Sequence, residues 1–216
     1  MKKGLFITFE GSEGCGKSTQ IKLLLERLRS SGFPDALALR EPGGTPIGEE
    51  IRHTLQHSKD NSAMTPEAEL LLMNASRAQL VREVIRPALA EGRLVLCDRF
   101  YDSTVAYQGY GRGLDLQRVR EVIEFAVGDT RPDLTVYLRV NPAVGAARLR
   151  ARKPSSPARD RFEEADSSFF ERVVRGYEAI AAAEPRRVRA VDGDGAVSTV
   201  SEAIWNLVQP RLPTAA

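Results

Sequence analysis

The stretch Leu5-Phe6-Ile7-Thr8-Phe9-Glu10-Gly11-Ser12-Glu13-Gly14-Cys15-Gly16-Lys17-Ser18 decides the fold of this 216-residue chain. Its first five residues are apolar or β-branched, which is typical of a buried strand. Its last eight match the pattern G-x-x-x-x-G-K-S, and the apolar residues that follow have helical spacing, at Ile21, Leu24, Leu25 and Leu28. A strand, a glycine-rich loop and a helix start place backbone N–H groups around one point, which suits a polyphosphate. The alternative, a glycine-rich turn that matches by chance, does not explain this order of elements.

The loop predicts a nucleotide-binding site in which Lys17 and Ser18 have separate roles. Lys17 would supply a positive charge to the outer phosphates, and the Ser18 hydroxyl would be a ligand for Mg²⁺. The predicted nucleotide-binding residues are Gly11, Ser12, Glu13, Gly14, Cys15, Gly16, Lys17, Ser18 and Thr19.

Composition excludes several classes of protein. Lysine and arginine number 31 against 29 acids, and a net charge of +2 gives no reason to expect a nucleic-acid partner. The basic run from Arg148 to Arg161 would ordinarily be a solvated surface. Cys15 and Cys97 make neither a disulfide framework nor a metal site. No segment has the apolar length to span a bilayer, and the first strand begins too early for a signal peptide. We therefore expect a cytoplasmic protein without a membrane partner.

Apolar runs alternate with helical patterns along the chain, which predicts an α/β protein. The expected strands are Leu5–Phe9, Ala36–Leu39, Leu94–Cys97, Leu134–Val140 and Val188–Val191. They would form a parallel five-stranded sheet with helices on both faces, the three-layer P-loop NTPase fold, in one domain over residues 1–216. Ligands of such sheets bind beyond the carboxyl ends of the strands.

Helix boundaries follow from capping residues and prolines. Thr65-Pro66-Glu67 supplies a cap, a proline at the first helical position and an acid in the first turn. Pro87 should kink or end that helix before Gly92. Further helices are expected from Pro142 to about Arg152 and from Ser167 to Ala183, with a proline- and serine-rich loop over residues 153–157 between them.

The third apolar run ends in Asp98-Arg99. An aspartate at this position would face the Mg²⁺ ion and phosphates held by Ser18. Arg99 could bind the phosphate of an acceptor, because two polyanions must be brought together in such a transfer. A surface Asp–Arg pair that closes the strand is the alternative interpretation.

The second apolar run ends in a rigid turn, Arg40-Glu41-Pro42-Gly43-Gly44-Thr45. Turns of this composition are common, so the turn alone is a weak signal. Arg52, on the helix that follows, could contact a phosphate or be solvated, and composition does not distinguish the two.

Taken together, these motifs resemble those of bacterial thymidylate kinases. The resemblance is carried by Glu10–Gly14, Arg40–Thr45, Asp98-Arg99-Phe100 with Ser103, Ala106-Tyr107-Gln108-Gly109, and Asp160–Glu163 with Phe169-Phe170. It extends over about residues 4 to 205. It implies phosphoryl transfer from ATP to dTMP with Mg²⁺, for the synthesis of dTTP, by a homodimer.

The resemblance also implies roles for individual side chains. Glu13 matches an acid that contacts the deoxyribose side of the acceptor, and Tyr107 an aromatic residue that disfavours a ribose 2′-hydroxyl. Arg77 matches an arginine that hydrogen-bonds to the thymine edge. The remaining residues expected to bind dTMP are Pro42, Arg52, Met73, Arg99, Thr104 and Gln108.

The basic run gains a specific role from the same resemblance. Gly14 stands where another branch of the family has an arginine, so the arginine that stabilises the transition state should come from a lid at about residues 148–161. Arg152 is the predicted catalytic residue, beside Lys17, Asp98 and Arg99. Arg148 and Arg150 lie on the same predicted helix and are not ranked against each other.

Met73 departs from the family, which usually has phenylalanine there to stack on thymine. A thioether can cover the base without ring stacking, so we expect dTMP to bind with a somewhat weaker apolar contact. A core-packing role for Met73 is the alternative.

Two other functions remain open at this stage. A different deoxynucleotide or deoxynucleoside kinase could use the same scaffold, although an uncharged acceptor would leave Arg52 and Arg99 without a phosphate. A P-loop NTPase switch is the second alternative. It is disfavoured because the chain contains no guanine-recognising N-K-x-D string.

Overall fold

The computed structural model describes residues 4–58, 61–151 and 166–213. Within these ranges five strands form one parallel sheet in the order β2-β3-β1-β4-β5. The strands are β1 (Leu5–Glu10), β2 (Leu37–Arg40), β3 (Leu94–Asp98), β4 (Leu134–Arg139) and β5 (Val188–Asp192). This architecture confirms the predicted α/β class and the predicted number of strands.

Strand β1 lies at the centre of the sheet and is buried along its whole length. Its neighbours are β3, with Phe9 opposite Asp98, and β4, with Phe9 opposite Val136. Since successive side chains alternate between faces, Ile7 and Phe9 pack into one apolar cluster and Phe6 into the other. The strand therefore anchors the cores on both faces of the sheet and points the following loop out of its carboxyl edge.

Helices cover both faces of the sheet. One face packs against α1 (Lys17–Ser30) and α9 (Val197–Val208). The other packs against α3 (Pro66–Leu80), α6 (Leu116–Val127) and α8 (Ser167–Ala183). The other α-helices in the described ranges are α2 (Pro46–Gln56), α4 (Arg86–Ala90), α5 (Tyr101–Thr104) and α7 (Pro142–Ala151), and a short 3₁₀ turn spans Gln209–Arg211.

The helix that starts at Pro66 follows its predicted caps. The Thr65 side chain accepts a hydrogen bond of 3.3 Å from the Ala68 N–H. A π-helical segment, Val81–Ile85, joins α3 to α4 just before Pro87. Its wider turn accommodates the proline ring, which would clash with the preceding turn of a regular α-helix. The helix ends at Ala90, between Pro87 and Gly92 as predicted.

Helix α5 follows β3 directly and continues into a second π-helical segment, Val105–Gly111. This helix carries Ser103, Thr104, Tyr107 and Gln108, all buried. Because it starts at the carboxyl edge of the sheet, it brings several predicted site residues close to the phosphate loop.

The other predicted elements agree closely with the structure. Each strand boundary lies within one residue of its expected position, and α8 spans Ser167–Ala183 as predicted. Helix α7 is described as far as Ala151. Its expected end near Arg152, the loop over residues 153–157 and most of the predicted lid lie outside the described residues. No helix in the described part of the chain is long and apolar enough to cross a membrane.

Candidate active site

The loop between β1 and α1 has the backbone geometry that its glycines permit. Gly11, Gly14 and Gly16 have positive φ angles of 137°, 73° and 97°, and Gly16 caps α1. A Cβ atom on Gly11 would lie 2.6 Å from the Leu138 carbonyl oxygen. A side chain would therefore be strained at these positions and would clash at Gly11. The loop folds over the end of the central strand and leads into the helix N-terminus, as the sequence predicts.

Lys17 closes this loop from within. Its Nζ donates to the carbonyl oxygens of Gly11 at 3.0 Å and Ser12 at 3.1 Å, and approaches the Cys15 Sγ at 3.4 Å. The ammonium group is therefore held beside the loop, where the phosphates of a nucleotide would lie. Thr19 follows on α1 with an exposed side chain.

Asp98 meets the loop from the neighbouring strand. The Ser18 hydroxyl donates a hydrogen bond of 2.8 Å to the Asp98 carboxylate. A hydroxyl and a carboxylate oxygen are ligands that suit Mg²⁺, which keeps several waters and takes its other ligands from the substrate's phosphates. Among the described residues no cluster of three or more His, Cys, Asp or Glu side chains could hold a metal ion. The Ser18 hydroxyl and the Asp98 carboxylate fit a magnesium ion that takes its other ligands from a nucleotide and from water.

Arg99 follows Asp98 in an unusual backbone conformation. Its φ angle is 69°, and it is the one non-glycine residue with positive φ in the described ranges. Its Nη1 lies 3.0 Å from the Gly11 carbonyl oxygen. Its Nη2 lies 2.5 Å from a Glu13 carboxylate oxygen. This geometry turns the guanidinium back onto the phosphate loop.

Glu13 and Tyr107 complete this side of the loop. The Tyr107 hydroxyl accepts a hydrogen bond of 3.1 Å from Arg99 and donates one of 3.4 Å to Glu13. Burial acts to raise the pKa of Glu13, but the charges of Arg99 and Lys17 outweigh it and hold that pKa below its usual value. Glu13 is therefore an ionised acceptor between two cations.

Three residues behind Arg99 were not predicted to have a role: Glu10, Ser103 and Tyr177. The Glu10 carboxylate accepts hydrogen bonds from the Ser103 hydroxyl at 2.6 Å, the Tyr177 hydroxyl at 3.0 Å and the Phe100 N–H at 2.7 Å. Burial, and then the nearby charge of Asp102, raises the pKa of Glu10 to about 7. A charged residue that ends a buried apolar strand was the sequence signal for Glu10. Tyr177 gave no such signal, because its position in α8 fits ordinary core packing.

Arg77 lies in a second buried cluster next to the first. Its Nε donates to a Glu41 carboxylate oxygen at 2.7 Å, and its Nη1 to Asn74 and Thr104 at 2.9 Å each. The Arg77 side chain is 2% exposed. Its Nη2 donates to the carbonyl oxygen of Phe100 at 3.2 Å, which connects this cluster to the turn that holds Arg99.

Glu41 is the anionic partner of this buried arginine. Burial raises its pKa to about 7, although the charge of Arg77 opposes the shift. Its Oε1 has no hydrogen-bond partner in the described part of the chain, while Oε2 bonds to Arg77. Sequence reasoning placed Glu41 in a turn but did not predict this ion pair, because its partner lies 36 residues away.

The turn after β2 holds the predicted residues Pro42 and Arg52 together. Arg52, on α2, donates a hydrogen bond of 2.9 Å to the Pro42 carbonyl oxygen. The peptide bond before Pro42 is cis. The Gly43 N–H donates to the Ser76 hydroxyl on α3 at 3.1 Å, which fixes the turn against the helix that carries Arg77.

Two predicted base-binding residues have different surroundings. Met73 is half-buried and packs against the core on the α3 face of the sheet. Gln108 is buried, and its Nε2 donates a hydrogen bond of 2.8 Å to Glu69. Arg112 also bonds to Glu69, at 3.0 Å. The structure thus links Lys17, Arg99, Glu13 and Tyr107 through contacts at the loop, and pairs Ser18 with Asp98 beside them. Gln108 is instead engaged with Glu69. Arg152 lies outside the described residues.

Comparison with known proteins points to one family. Residues 9–204 match the family profile described as "Thymidylate kinase". A thymidylate kinase of Synechococcus sp. (strain JA-2-3B'a(2-13)) is 48% identical over 211 residues, which are 98% of this chain and 97% of that protein. A thymidylate kinase of Geobacter sulfurreducens is 48% identical over 212 residues, 97% of this chain and 99% of its own length.

A solved structure gives the same result. The crystal structure of thymidylate kinase from Ehrlichia chaffeensis superposes with a TM-score of 0.78 at 32% identity, covering 96% of this chain and 99% of that one. The chain belongs to the thymidylate kinase family.

Proposed function

We propose that this chain transfers the γ-phosphoryl group of ATP to dTMP, giving ADP and dTDP for dTTP synthesis. The observation that carries this proposal is the position of Arg99. Its guanidinium lies 3.0 Å from the Gly11 carbonyl oxygen of the loop that would hold the donor's phosphates. A cation so close to that loop suits an acceptor that is itself a phosphate, because it offsets the repulsion between two polyanions.

The donor side uses the phosphate loop. Gly11 to Ser18 would surround the phosphates of ATP with backbone N–H groups, and Lys17 would carry its charge to the outer phosphates. Ser18 and Asp98, which share a hydrogen bond of 2.8 Å, would hold Mg²⁺ or its waters. The ion supplies positive charge to the β- and γ-phosphates when it is bound.

The acceptor side uses Arg99 and Arg52 for the dTMP phosphate. Arg52 is anchored to the Pro42 carbonyl oxygen at 2.9 Å, and the turn that contains Pro42 is fixed to α3. Glu13 and Tyr107 would border the deoxyribose. The Tyr107 hydroxyl, held between Arg99 at 3.1 Å and Glu13 at 3.4 Å, would crowd the 2′ position of a ribose.

The thymine base would lie near Arg77, Thr104 and Met73. A buried arginine held by fixed partners would select for a base with a matching acceptor, because any other base would leave one of its N–H groups without a hydrogen bond. Met73 would cover the apolar face of the base. Gln108 would border the same pocket, with its side-chain amide held by the hydrogen bond to Glu69.

Alignment and charge neutralisation would supply most of the catalysis. The acceptor is a phosphate whose oxygens are already nucleophilic, so the reaction needs little activation by a general base. We propose that a basic lid at about residues 148–161 closes over the site, excludes water and brings Arg152 to the transferring phosphoryl group.

We also propose a cytoplasmic homodimer of single-domain subunits that bind neither nucleic acid nor membranes. Leu71 on α3 and Phe125 on α6 are 59% and 86% exposed, and these two helices pack against each other. Large exposed apolar side chains on adjacent helices support an interface with a second copy.

The test is an ADP-release assay with Mg-ATP and a panel of acceptors: dTMP, dUMP, dCMP, dGMP, AMP and thymidine. We expect release with dTMP at least 100-fold faster than with thymidine. Comparable rates with thymidine would instead support a deoxynucleoside kinase. Rapid release without any acceptor would support an NTPase switch.

A further inference from the structure

The hydroxyl of Tyr177 lies at a junction between α8 and the candidate active site. It is 3.1 Å from the Arg99 Nη1, 3.0 Å from the Glu10 Oε2 and 2.9 Å from the Ser103 hydroxyl oxygen. Tyr177 is 2% exposed and Glu10 is fully buried. Buried polar groups need hydrogen-bond partners, and the Tyr177 hydroxyl has three of them. These contacts indicate a polar role for Tyr177 in addition to core packing.

The charge of Glu10 sets the direction of these hydrogen bonds. Above its raised pKa, the Glu10 carboxylate is ionised and only accepts, so both the Ser103 and the Tyr177 hydroxyl donate their protons to it. Their oxygen lone pairs are then free to accept from the Arg99 Nη1, at 3.0 and 3.1 Å. Glu10 thereby turns two hydroxyls into acceptors for the arginine.

The partners of Arg99 account for four of its five N–H groups. The two N–H groups of Nη1 are shared among Gly11, Ser103 and Tyr177, and those of Nη2 bond to Glu13 and Tyr107. In the described ranges, the Nε of Arg99 has no hydrogen-bond partner. This Nε–H is the N–H group left to bind an anion, and its direction is fixed by the partners of Nη1 and Nη2.

We propose that Tyr177 is a positioning residue which, with Ser103 and Glu10, aims the Arg99 guanidinium at the phosphate of dTMP. This inference rests on the proposed function. Tyr177 also connects the acceptor phosphate to α8, the helix that begins at Ser167 after the undescribed residues 152–165. The competing explanation is packing alone, since the Tyr177 ring stacks on Tyr137 with centroids 5.2 Å apart.

The experiment compares Tyr177→Phe with Tyr137→Phe at pH 8, above the raised pKa of Glu10. Both changes remove one hydroxyl from the same stacked pair. The Tyr137 hydroxyl, however, donates to Glu178 at 3.1 Å and is not a partner of Arg99. Calorimetry would measure the binding of dTMP and of thymidine, which lacks the phosphate, and kinetics would measure the KM of each substrate.

For Tyr177→Phe we expect the affinity for dTMP to fall about tenfold and the dTMP KM to rise about tenfold. This is the size expected for the loss of one hydrogen bond to a charged group. Thymidine binding and the ATP KM should change by less than twofold. Tyr137→Phe should leave all four quantities near their wild-type values. Ser103→Ala should show the same selective loss of dTMP affinity. In the double variant Ser103→Ala/Tyr177→Phe, the affinity for dTMP should fall by less than the product of the two single-variant factors.

Equal weakening of dTMP and thymidine would show that Tyr177 only packs the core, and unchanged dTMP binding would show that Arg99 does not need it. Either result overturns this proposal while wild-type dTMP phosphorylation stands. Failure of the wild-type protein to phosphorylate dTMP is a separate outcome, which overturns the proposed function. If Tyr177→Phe does not fold, Ser103→Ala carries the test, because it leaves the aromatic packing intact.

Discussion

The two sides of the candidate active site are built in different ways. On the donor side, Lys17 bonds to Gly11, Ser12 and Cys15, all within six residues of it along the chain. On the acceptor side, the partners of Arg99 and Arg77 lie up to 88 residues away. The phosphate loop with Lys17 is therefore a local structure, and on this side the Asp98 carboxylate reaches Ser18 from a distant part of the chain. The acceptor side, by contrast, exists only once the sheet and its helices have assembled.

This difference has a consequence for how each side responds to change. A local loop should lose its chemistry when its own side chains change, with little effect on the acceptor pocket. A buried long-range network should couple binding, stability and pH, because its members share partners and are shielded from water. The four predictions below test this contrast, from the largest expected effect to the smallest.

Lys17→Ala should lower kcat by about 1,000-fold or more, because it removes the charge that stabilises the transferring phosphoryl group. The dTMP KM should change by less than about threefold, since Arg99, Arg77 and Arg52 keep their own hydrogen bonds without this lysine. Steady-state kinetics with both substrates varied would measure the two effects. Lys22→Ala, an exposed lysine on the same helix, is the control. A large rise in the dTMP KM would contradict the proposed separation of the two sides.

Arg152→Ala should lower turnover by about 100- to 1,000-fold with little change in dTMP affinity, if this residue meets the phosphoryl group when the lid closes. The comparison variant is Arg148→Ala. The guanidinium of Arg148 bonds to the carbonyl oxygens of Gly193 at 2.9 Å and Asp194 at 3.3 Å, so we expect a smaller kinetic effect there. Unaltered turnover in Arg152→Ala would assign the role to another lid arginine.

Glu41→Gln should flatten the pH dependence of stability. Because burial raises the pKa of Glu41 to about 7, the folded protein holds its proton more tightly than the unfolded chain does. The contribution of Glu41 to the free energy of unfolding is complete below its unfolded pKa and is lost as pH rises through about 7. This one group accounts for roughly 2–3 kcal/mol between about pH 5 and pH 8.

Denaturant unfolding across that pH range would measure the slope. The wild-type protein should lose stability as pH rises, and Glu41→Gln should lose clearly less, whatever its absolute stability. Glu50→Gln, which removes an exposed carboxylate, should keep the wild-type slope. An equal slope in Glu41→Gln would show that this buried carboxyl group does not carry the raised pKa.

Met73→Phe should have the smallest effect, leaving the dTMP KM unchanged or lowering it a few fold. A ring stacked on the base adds about 0.5–1.5 kcal/mol beyond its buried area, and a thioether contact with an aromatic ring adds about 0.3–1.5 kcal/mol, so the two side chains should differ little. The ATP KM serves as the internal control. A large increase in the dTMP KM would show that Met73 packs the core and that the base lies elsewhere.

Much of the fold was predictable from the sequence. Strands such as β1 and β3 are short apolar runs that stop at a charged residue, and the Thr65 cap and Pro87 mark the ends of one helix. These signals are local, and so is the phosphate loop. For that reason the fold and the donor side were predicted from the chain itself.

The support of the acceptor side was not predictable in the same way. Arg99 was predicted from its position after the third apolar run, and Arg77 through a family resemblance, but their partners Tyr177 and Glu41 were not predicted. Tyr177 lies 167 residues from Glu10, and in sequence it has the pattern of an ordinary core residue. Contacts of this kind depend on the packing of α8 against α5 and the π-helical segment that follows it, which no local pattern encodes.

The most direct test of the account is a crystal structure of the protein with dTMP and Mg-ADP. We predict that the 5′-phosphate of dTMP lies within hydrogen-bond distance of the Arg99 guanidinium, at the edge of the Gly11–Ser18 loop, with Tyr177 still bonded to Glu10. A 5′-phosphate bound away from that loop, with Arg99 making no contact to it, would contradict the account.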